Sequence, residues 1–516
     1  ITMARLTNAK QKSESSVQSE EGKSTLRDNF DYLSPLDTRY YGQDARVYDA
    51  LHPYLSEAAT IQYQIKVEQA IIASLEQAGV APFGISKRVA RAVSQVTPAV
   101  VYEEEHRTHH NIRALVNSLG RYLEERDRPY IHLFATSADV QDTARSLALR
   151  DFTRDVLLPE LSKLILRLAT LAREHADVPQ IGRTHGRFAE PITVGYWLAN
   201  FVVRLTGRAE KIALAAKDLR GMYSGAVGAH SALALKWPND PAAIEIDVLA
   251  RLGLEPGEGS VSTQVIQPEY LTDYAHALVS MFGVLANIAD DYRHLMRSEI
   301  GEVEEDLDIE VEARKYQIGS STMPHKINPK NFENVKSLWK AFVPRMMTVY
   351  MDQISEHQRD LTNSASSRFF NELAGGAYYA VLRLEDAISK TKISVDTIKE
   401  NLSSSRAQLI DAEPLYIAFA LTGHPNGYYM ARSLVLKARE SGSDLLSLVE
   451  ADPEARTLWD RVPEETKEII RDPTKYIGDS IQRTHLVCDQ AEIRLKNPWF
   501  LRRLERPSES KAFLLE

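Results

Sequence analysis

Cysteine is almost absent from this sequence of 516 residues, in which Cys488 is the single example. One thiol excludes an internal disulfide framework, a cysteine-based zinc ribbon and an iron–sulfur cluster. Long apolar runs are also missing, because no stretch approaches the roughly 18 consecutive apolar residues that a membrane-spanning helix needs. The amino-terminal segment has none of the apolar core of a secretory signal. We therefore expect a cytoplasmic protein that does not bind membranes.

An excess of positive charge is lacking as well. The chain has 62 Lys and Arg residues against 71 Asp and Glu residues, which gives a formal net charge of −9. Such a balance disfavours nucleic acid as a partner, although a local basic pocket can still hold a small anion. With 44% hydrophobic residues the chain can bury a large core. Its length predicts about three domains, at roughly 150 residues for each.

Helical periodicity is the dominant pattern that is present. Its strongest instance begins at Tyr270, where apolar residues alternate in steps of three and four: Leu271, Tyr274, Leu278, Met281, Leu285, Ile288, Tyr292 and Leu295. We place the start of a second long helix at Pro191, an interruption of a third at Pro344, and a further helix from Phe370. Strand-like alternation is hard to find. The sequence predicts an all-α fold with a central bundle of long helices, and apolar residues on more than one helix face indicate an oligomer.

Changes in composition predict the domain boundaries. The polar residues 1–26 are predicted to be a disordered tail. We predict an amino-terminal helical domain over 27–135, the central bundle over 136–394, and a carboxyl-terminal helical domain over 395–516. The bundle includes a loop at 319–328, because glycine, proline and three hydroxyl residues cannot sustain a helix there.

Two loop segments carry residues suited to holding an anion. In the loop 319–328, backbone N–H groups together with Ser320, Lys326 and Asn328 could bind a carboxylate and stabilise developing negative charge. On residue types alone, a solvated serine-rich turn is the better explanation of this loop. The segment 359–368 has two arginines and serines that suit a phosphate, but a salt-bridged surface turn would have the same composition.

Two further segments are rich in histidine. His185 lies between Arg183 and Arg187, a setting that can hold anions nearby, although a lone loop histidine is more often structural. The run 106–111 has three histidines but no carboxylate or thiol at a recognised ligand spacing. We therefore predict no metal site and no cofactor.

The order of these segments resembles a known family. The loop 319–328 matches the signature Gly-Ser-Ser-x-Met-Pro-x-Lys-x-Asn of the fumarase/aspartase superfamily. Within that superfamily the chain is most similar to the adenylosuccinate lyases, over the segments 34–40, 131–139, 183–186, 225–228, 263–264 and 359–368. The resemblance implies a three-domain helical fold, a homotetramer, and active sites built from several subunits.

The resemblance also implies roles for individual residues. His185 would be the general acid that protonates the departing nitrogen, and Ser320 the base that removes a proton from the succinyl carbon. Lys326 would stabilise the anionic intermediate, and Glu333 would orient the histidine. The substrate-binding positions would be Arg39, Tyr40, His109, His110, Asn111, Thr136, Ser137, Gln264, Asn328, Asn334, Arg359, Ser364 and Arg368. Arg39, Ser364 and Arg368 are the candidates for the phosphate.

The implied reaction is β-elimination of fumarate from adenylosuccinate to give AMP, and from the purine precursor SAICAR to give AICAR. Three positions depart from the family pattern, namely Thr38, Asn111 in place of the usual Asp, and Arg187. The alternatives are another superfamily lyase, of the argininosuccinate lyase or carboxymuconate cycloisomerase type, and a structural homologue without catalysis. The joint presence of His185, Ser320, Lys326 and Glu333 argues against the last alternative.

Overall fold

The computed structural model describes residues 32–305, 320–404 and 409–496. The predicted tail 1–26 and Gly319 of the predicted loop lie outside these ranges. The chain divides into two compact units, one that ends at Tyr48 and one that begins at Asp49.

The first unit contains a π-helical turn, Leu36–Tyr41. After it, the carboxylate of Asp44 accepts hydrogen bonds from the backbone and the guanidinium of Arg46, both at 3.0 Å. The rings of Tyr41 and Tyr48 lie 5.0 Å apart. Local contacts of this kind hold the segment that carries Arg39 and Tyr40.

Helices make up most of the described residues, as the periodicity predicts. In chain order they are α1 (Ala45–Leu55), α2 (Glu57–Gln77), α3 (Ile85–Val93), α4 (Pro98–Thr108), α5 (Asn111–Arg121), α6 (Ser137–Phe152), α7 (Leu158–Glu174), α8 (Val194–Lys217), α9 (Ser231–Ala234), α10 (Ala242–Arg251), α11 (Glu269–Leu295), α12 (Lys330–Phe342), α13 (Arg345–Met351), α14 (Phe370–Ser389), α15 (Val395–Ser403), α16 (Ala412–Leu421), α17 (Gly427–Ser441), α18 (Leu445–Ala451), α19 (Pro453–Arg461), α20 (Glu464–Arg471) and α21 (Ser480–Lys496).

The long helix predicted from Tyr270 is confirmed as α11. Seven of its eight predicted seam residues are buried, and Leu271 is half-buried. Helix α12 packs against it in the opposite direction, because Phe332 stacks on Tyr292 at 4.9 Å and Phe342 stacks on Phe282 at 6.2 Å. The interruption at Pro344 is also confirmed, since α12 ends at Phe342 and α13 begins at Arg345.

Two further groups of helices have cores of their own. Helices α2–α6 share a buried cluster with α9 and α10, centred on residues such as Ile72, Leu115 and Leu249. Helices α16–α20 enclose a second cluster around Phe419 and Trp459. Helix α21 instead returns to the bundle, where Arg173 of α7 contacts Asp489 at 2.8 Å, and Arg494 binds Glu210 of α8.

In the part of the chain that the structure describes, four short strands interrupt the helices. Strand β1 (Pro179–Thr184) pairs antiparallel with β2 (Arg187–Thr193), and β3 (Val303–Glu305) pairs antiparallel with β4 (Thr391–Ile393). The prediction that a helix begins at Pro191 is therefore wrong. Pro191 lies inside β2, and α8 begins only after Thr193, whose hydroxyl accepts a hydrogen bond from the N–H of Tyr196 at 3.1 Å.

Within the described ranges, we find no helix that combines the length and the apolarity needed to cross a membrane.

Candidate active site

The predicted site residues of the second unit fall mainly at the two ends of α11. We call the segments 136–139, 224–228, 262–264 and 358–368 the amino-end cluster, because they meet near the start of this helix. We call the segments 183–187, 302–305 and 320–334 the carboxyl-end cluster, because they lie near its end. The histidine-rich junction between α4 and α5 is a third location.

Asp139 joins two segments of the amino-end cluster. Its fully buried carboxylate accepts the N–H of Thr136 at 2.7 Å, which completes a capping box at the start of α6. It also accepts the N–H groups of Ser224 at 2.9 Å and of Gly225. Burial raises the pKa of Asp139 to about 6, whereas these N–H donors favour the ionised form. The carboxylate thereby fixes Thr136 and Ser137 beside the turn 225–228, which we call the glycine turn.

Gly228 lets the glycine turn approach the segment 262–264. A Cβ atom at this position would lie only 2.3 Å from the carbonyl oxygen of Ser262, and the backbone has a φ of +73°. The hydroxyl groups of Ser224 and Ser262 are 2.8 Å apart. Gln264 then donates its N–H to the carbonyl of Gln358 at 3.1 Å. Gln264 is in this way connected with the segment 359–368, which we call the arginine-containing turn.

Asp360 organises the turn that carries Arg359, Ser364 and Arg368. Its carboxylate accepts the N–H of Glu356 at 2.7 Å, together with the N–H and hydroxyl of Thr362 at 2.8 and 2.6 Å. These donors, led by the Thr362 hydroxyl, lower the pKa of Asp360 to about 2. The guanidinium of Arg359 contacts the side-chain oxygen of Asn363. Ser364 and Arg368 are exposed on the same turn and are open to a ligand.

His185 occupies the tip of the β1–β2 hairpin, within the carboxyl-end cluster. Its φ of +54° and the φ of +72° at Gly186 are typical of a type I′ two-residue turn. The side chain is exposed, and its ring forms no hydrogen bond with another described residue. Beside the tip, a cleft of about 1020 Å³ separates residues 186–190 from helices α16 and α17. The imidazole is therefore available to a ligand.

Ser320 begins the described part of the signature loop. Its Oγ accepts the N–H of Met323 at 3.0 Å and that of Thr322 at 3.4 Å. Residues 321–327 are exposed, including Lys326, and Asn328 is half-buried. The prediction of a loop is confirmed over 320–329, where no helix forms. Backbone donors at the Ser320 oxygen favour its negatively charged form.

Glu333 and Asn334 lie in the first turn of α12, directly after the loop. Glu333 is half-exposed, and its carboxylate lies 3.8 Å from the guanidinium of Arg293. The side-chain oxygen of Asn334 is buried and has no hydrogen-bond partner among the described residues. Within one chain, neither residue contacts His185.

The histidine-rich junction contributes three predicted residues. His109 ends α4 with a φ of +51°, and the ring of His110 accepts the N–H of Arg113 at 3.2 Å as the cap of α5. The side-chain oxygen of Asn111 accepts the N–H of Ile112 at 2.8 Å. All three are exposed, and the described contacts do not connect them with either cluster.

The length of α11 keeps the two clusters apart. Helix α12 begins beside the end of α11, where Lys336 pairs with Asp290. The chain then runs back to the start of α11, where Gln353 reaches Glu269 at 3.4 Å. A helix of 27 residues is about 40 Å long. Ser320 and His185 of one chain are therefore far from its own Gln264 and Arg359.

Two buried carboxylates at this site were not predicted from the sequence. Asp139 lies in the matched segment 131–139, so its position after a capping threonine was the available signal. Glu302 binds Arg183 at 2.5 Å across 119 residues of sequence, and no local pattern marks such a pair.

Known proteins resemble this chain over most of its length. A family described as lyase matches residues 38–341. The adenylosuccinate lyase of Archaeoglobus fulgidus is 30% identical, and the match covers 88% of this chain and 98% of that protein. The adenylosuccinate lyase of Methanothermobacter thermautotrophicus is 31% identical, with coverage of 89% and 99%.

Solved structures support the fold. A 3-carboxy-cis,cis-muconate lactonizing enzyme from Pseudomonas putida has a TM-score of 0.73 at 22% identity, and covers 88% of this chain and 98% of its own. A fumarate lyase from Mesorhizobium has a TM-score of 0.71 at 22% identity, with coverage of 86% and 98%. The chain therefore belongs to the adenylosuccinate lyase family, within the fumarase/aspartase superfamily.

Proposed function

We propose that this chain is a carbon–nitrogen lyase that cleaves adenylosuccinate into AMP and fumarate, and SAICAR into AICAR and fumarate. The observation that carries this proposal is the similarity to adenylosuccinate lyases over 88–89% of the chain. The arginine-containing turn adds support, because Arg359 and Arg368 with Ser364 suit a phosphorylated substrate.

The proposed reaction needs one base and one acid. Ser320, as the alkoxide, removes a proton from the succinyl carbon next to the C–N bond. The C–N bond then breaks, and His185 donates a proton to the departing nitrogen. The N–H donors of Met323 and Thr322 stabilise the alkoxide, and the ammonium of Lys326 offsets the negative charge of the intermediate. Glu333 is proposed to orient the imidazole of His185.

We further propose that each active site combines segments of several copies in a homotetramer. Both clusters are needed for one substrate, and the length of α11 separates them within a chain. The bundle also has a surface for other copies, since Tyr196, Val203 and Leu214 of α8 are each more than 40% exposed. His109, His110, Asn111, Arg39 and Tyr40 would complete the substrate contacts.

We expect the enzyme to act in the cytoplasm without metal or cofactor. Its single cysteine, Cys488, is buried and forms no disulfide. The proposed partners are the small-molecule substrate and further copies of the chain.

The decisive experiment is an assay of fumarate release from adenylosuccinate by the purified protein. Ser320→Ala and His185→Ala should each lower kcat by at least about a hundredfold, because each removes a proton-transfer group. Ser321→Ala is the matched control, since it removes the adjacent exposed hydroxyl and should retain near-normal turnover.

Argininosuccinate is the competing substrate in the same assay. Its cleavage without turnover of adenylosuccinate would assign the chain to the other lyase type. Near-normal rates in either alanine variant would remove that residue from the mechanism.

A further inference from the structure

Glu302 is a fully buried residue between α11 and β3 that the proposed mechanism does not use. Its own N–H donates to the carbonyl of Leu295 at 3.0 Å, and its carbonyl accepts the N–H of Ser394 at 3.0 Å. Its backbone is thus held from the end of α11 on one side and from the start of α15 on the other.

The carboxylate of Glu302 accepts hydrogen bonds from three side chains. Arg183 donates two, at 2.5 and 3.1 Å, and Gln180 donates one at 2.7 Å. Asn401 donates a fourth bond at 3.0 Å. A buried charge with a bidentate guanidinium and two amide donors is well satisfied, and removing one partner leaves the others unpaired. Two of the three partners lie on β1, the first strand of the His185 hairpin.

The end of β1 depends on this contact more than a regular strand would. The register of the hairpin shifts between Ile181 and Arg183, so strand pairing is interrupted just before the tip. Arg183 also lies over the ring of Phe188 in β2, at 5.4 Å. Arg183 therefore joins both strands to Glu302, and His185 follows it by two residues.

Strand β3, which follows Glu302 directly, connects this residue with the start of α12, where the signature loop ends. Glu305, at the end of β3, accepts a hydrogen bond from the side chain of Asn331 at the start of α12. The segments on both sides of the loop are thus tied together three residues after Glu302. Glu302 therefore fixes both the hairpin that carries the proposed acid and the segments on either side of the signature loop.

We propose that Glu302 is a positioning residue for catalysis, which holds the His185 hairpin at a fixed place relative to the two ends of the signature loop. It touches no substrate, and it acts through Arg183 and through β3. This inference rests on the proposed function, because it assumes that His185 is the general acid.

The test compares Glu302→Gln with Glu385→Gln as a matched control. Glu385 is equally enclosed in the bundle and binds Lys163 at 3.0 Å and Arg167 at 2.5 Å, away from the hairpin. Glu302→Gln should lower kcat by about tenfold to a hundredfold, since a small displacement of a catalytic group has effects of that size. KM should stay within about threefold of its original value.

The pH dependence of kcat separates positioning from a merely structural role. Glu302→Gln should change the shape of the profile, because the surroundings of the histidine change. Glu385→Gln should leave the shape unchanged and kcat within about threefold. An unchanged shape in Glu302→Gln, or an equal loss of kcat in both variants, would overturn the proposal.

A second variant and a substrate-free readout cover two further cases. If Glu302→Gln does not fold, Arg183→Lys keeps the charge but loses the bidentate contact, and should give the same decrease in kcat. The rate at which diethyl pyrocarbonate modifies His185, followed by peptide mass spectrometry across pH, needs no substrate. An altered rate profile supports the positioning role even if adenylosuccinate is not turned over, and an unaltered profile contradicts it.

Discussion

At the scale of single residues, two buried carboxylates hold separate segments together around the candidate site. Asp139 receives backbone N–H groups from two segments, and Glu302 receives side-chain donors from β1 and α15. Asp360 does the same at a half-buried position. The neutral side-chain oxygen of Asn111 accepts the N–H of Ile112 at the start of α5.

Asp360 leads to a prediction about pH. Its pKa of about 2 in the folded protein is below the unfolded value, so its stabilising contribution is present above about pH 4. That contribution should disappear as the pH falls from about 4 to 2, because the carboxylate becomes protonated. Asp360→Asn should lower the melting temperature above pH 5, and the difference from the original protein should shrink on acidification.

Hydrogen exchange of the peptide 354–364 at neutral pH gives the local measurement for Asp360. The amides of Glu356 and Thr362 should exchange faster in Asp360→Asn, because they lose a charged acceptor. Unchanged exchange would mean that the turn is held by other contacts. Asp352→Asn is a suitable comparison, since that carboxylate binds the hydroxyl of Ser366 and neither of these amides.

At the scale of elements, the sequence predicted the long helices better than the short strands. The apolar steps from Tyr270 define α11, because a helix with one buried face repeats its apolar residues over many turns. The β1–β2 hairpin leaves no such pattern, since it is short, irregular at Gly182 and half-exposed. Pro191 therefore resembled a helix start, although the capping residue is Thr193.

In the candidate site, too, features formed by neighbouring residues in the sequence could be predicted, and contacts between distant segments could not. The signature loop and the arginine-containing turn could be predicted, because each is a continuous segment with a characteristic composition. Their separation by α11 could be expected only in outline. The pairing of Arg183 with Glu302 could not be predicted, because it depends on how α11 and the hairpin pack.

Gly228 gives a prediction at the element scale. Gly228→Ala should disrupt the amino-end cluster, because the new Cβ would meet two carbonyl oxygens at 2.3 and 2.4 Å. Gly225→Ala is the matched control, since Gly225 also has a positive φ but its nearest neighbour would lie at 3.7 Å. We expect a loss of about 1–2 kcal/mol in the unfolding free energy for Gly225→Ala, from backbone strain alone.

The loss in Gly228→Ala should be clearly larger than that, as measured by chemical denaturation. KM for adenylosuccinate should also rise in this variant, because Gln264 and the arginine-containing turn pack through the same contact. Equal losses of unfolding free energy in the two variants would show that the close approach at Gly228 leaves room for a Cβ atom.

At the scale of the whole molecule, α11 divides the candidate chemistry into two halves. A chain with an intact amino-end cluster can still lack an effective acid or base, and the reverse also holds. In a symmetric oligomer, one chain can supply the half that another chain has lost.

This division predicts complementation between inactive variants. Arg359→Ala removes a proposed phosphate contact at one end of α11, and His185→Ala removes the proposed acid at the other. After subunit exchange, a mixture of the two should recover activity at up to about one site in four. Size-exclusion chromatography or native mass spectrometry must show the mixed oligomers. No recovery in proven mixed oligomers would contradict the composite site.

A pair of variants from the same segment provides the control for complementation. Arg359→Ala mixed with Arg368→Ala should recover nothing, because both changes fall on one turn that a single chain supplies.

The packing of α21 gives the lone cysteine a practical meaning. Cys488 is completely buried between this helix and the bundle, and burial raises the pKa of its thiol to about 11. A thiol reagent can reach it only when α21 separates from α7 and α8. The rate at which a thiol reagent labels the unmodified protein would therefore measure how often α21 opens.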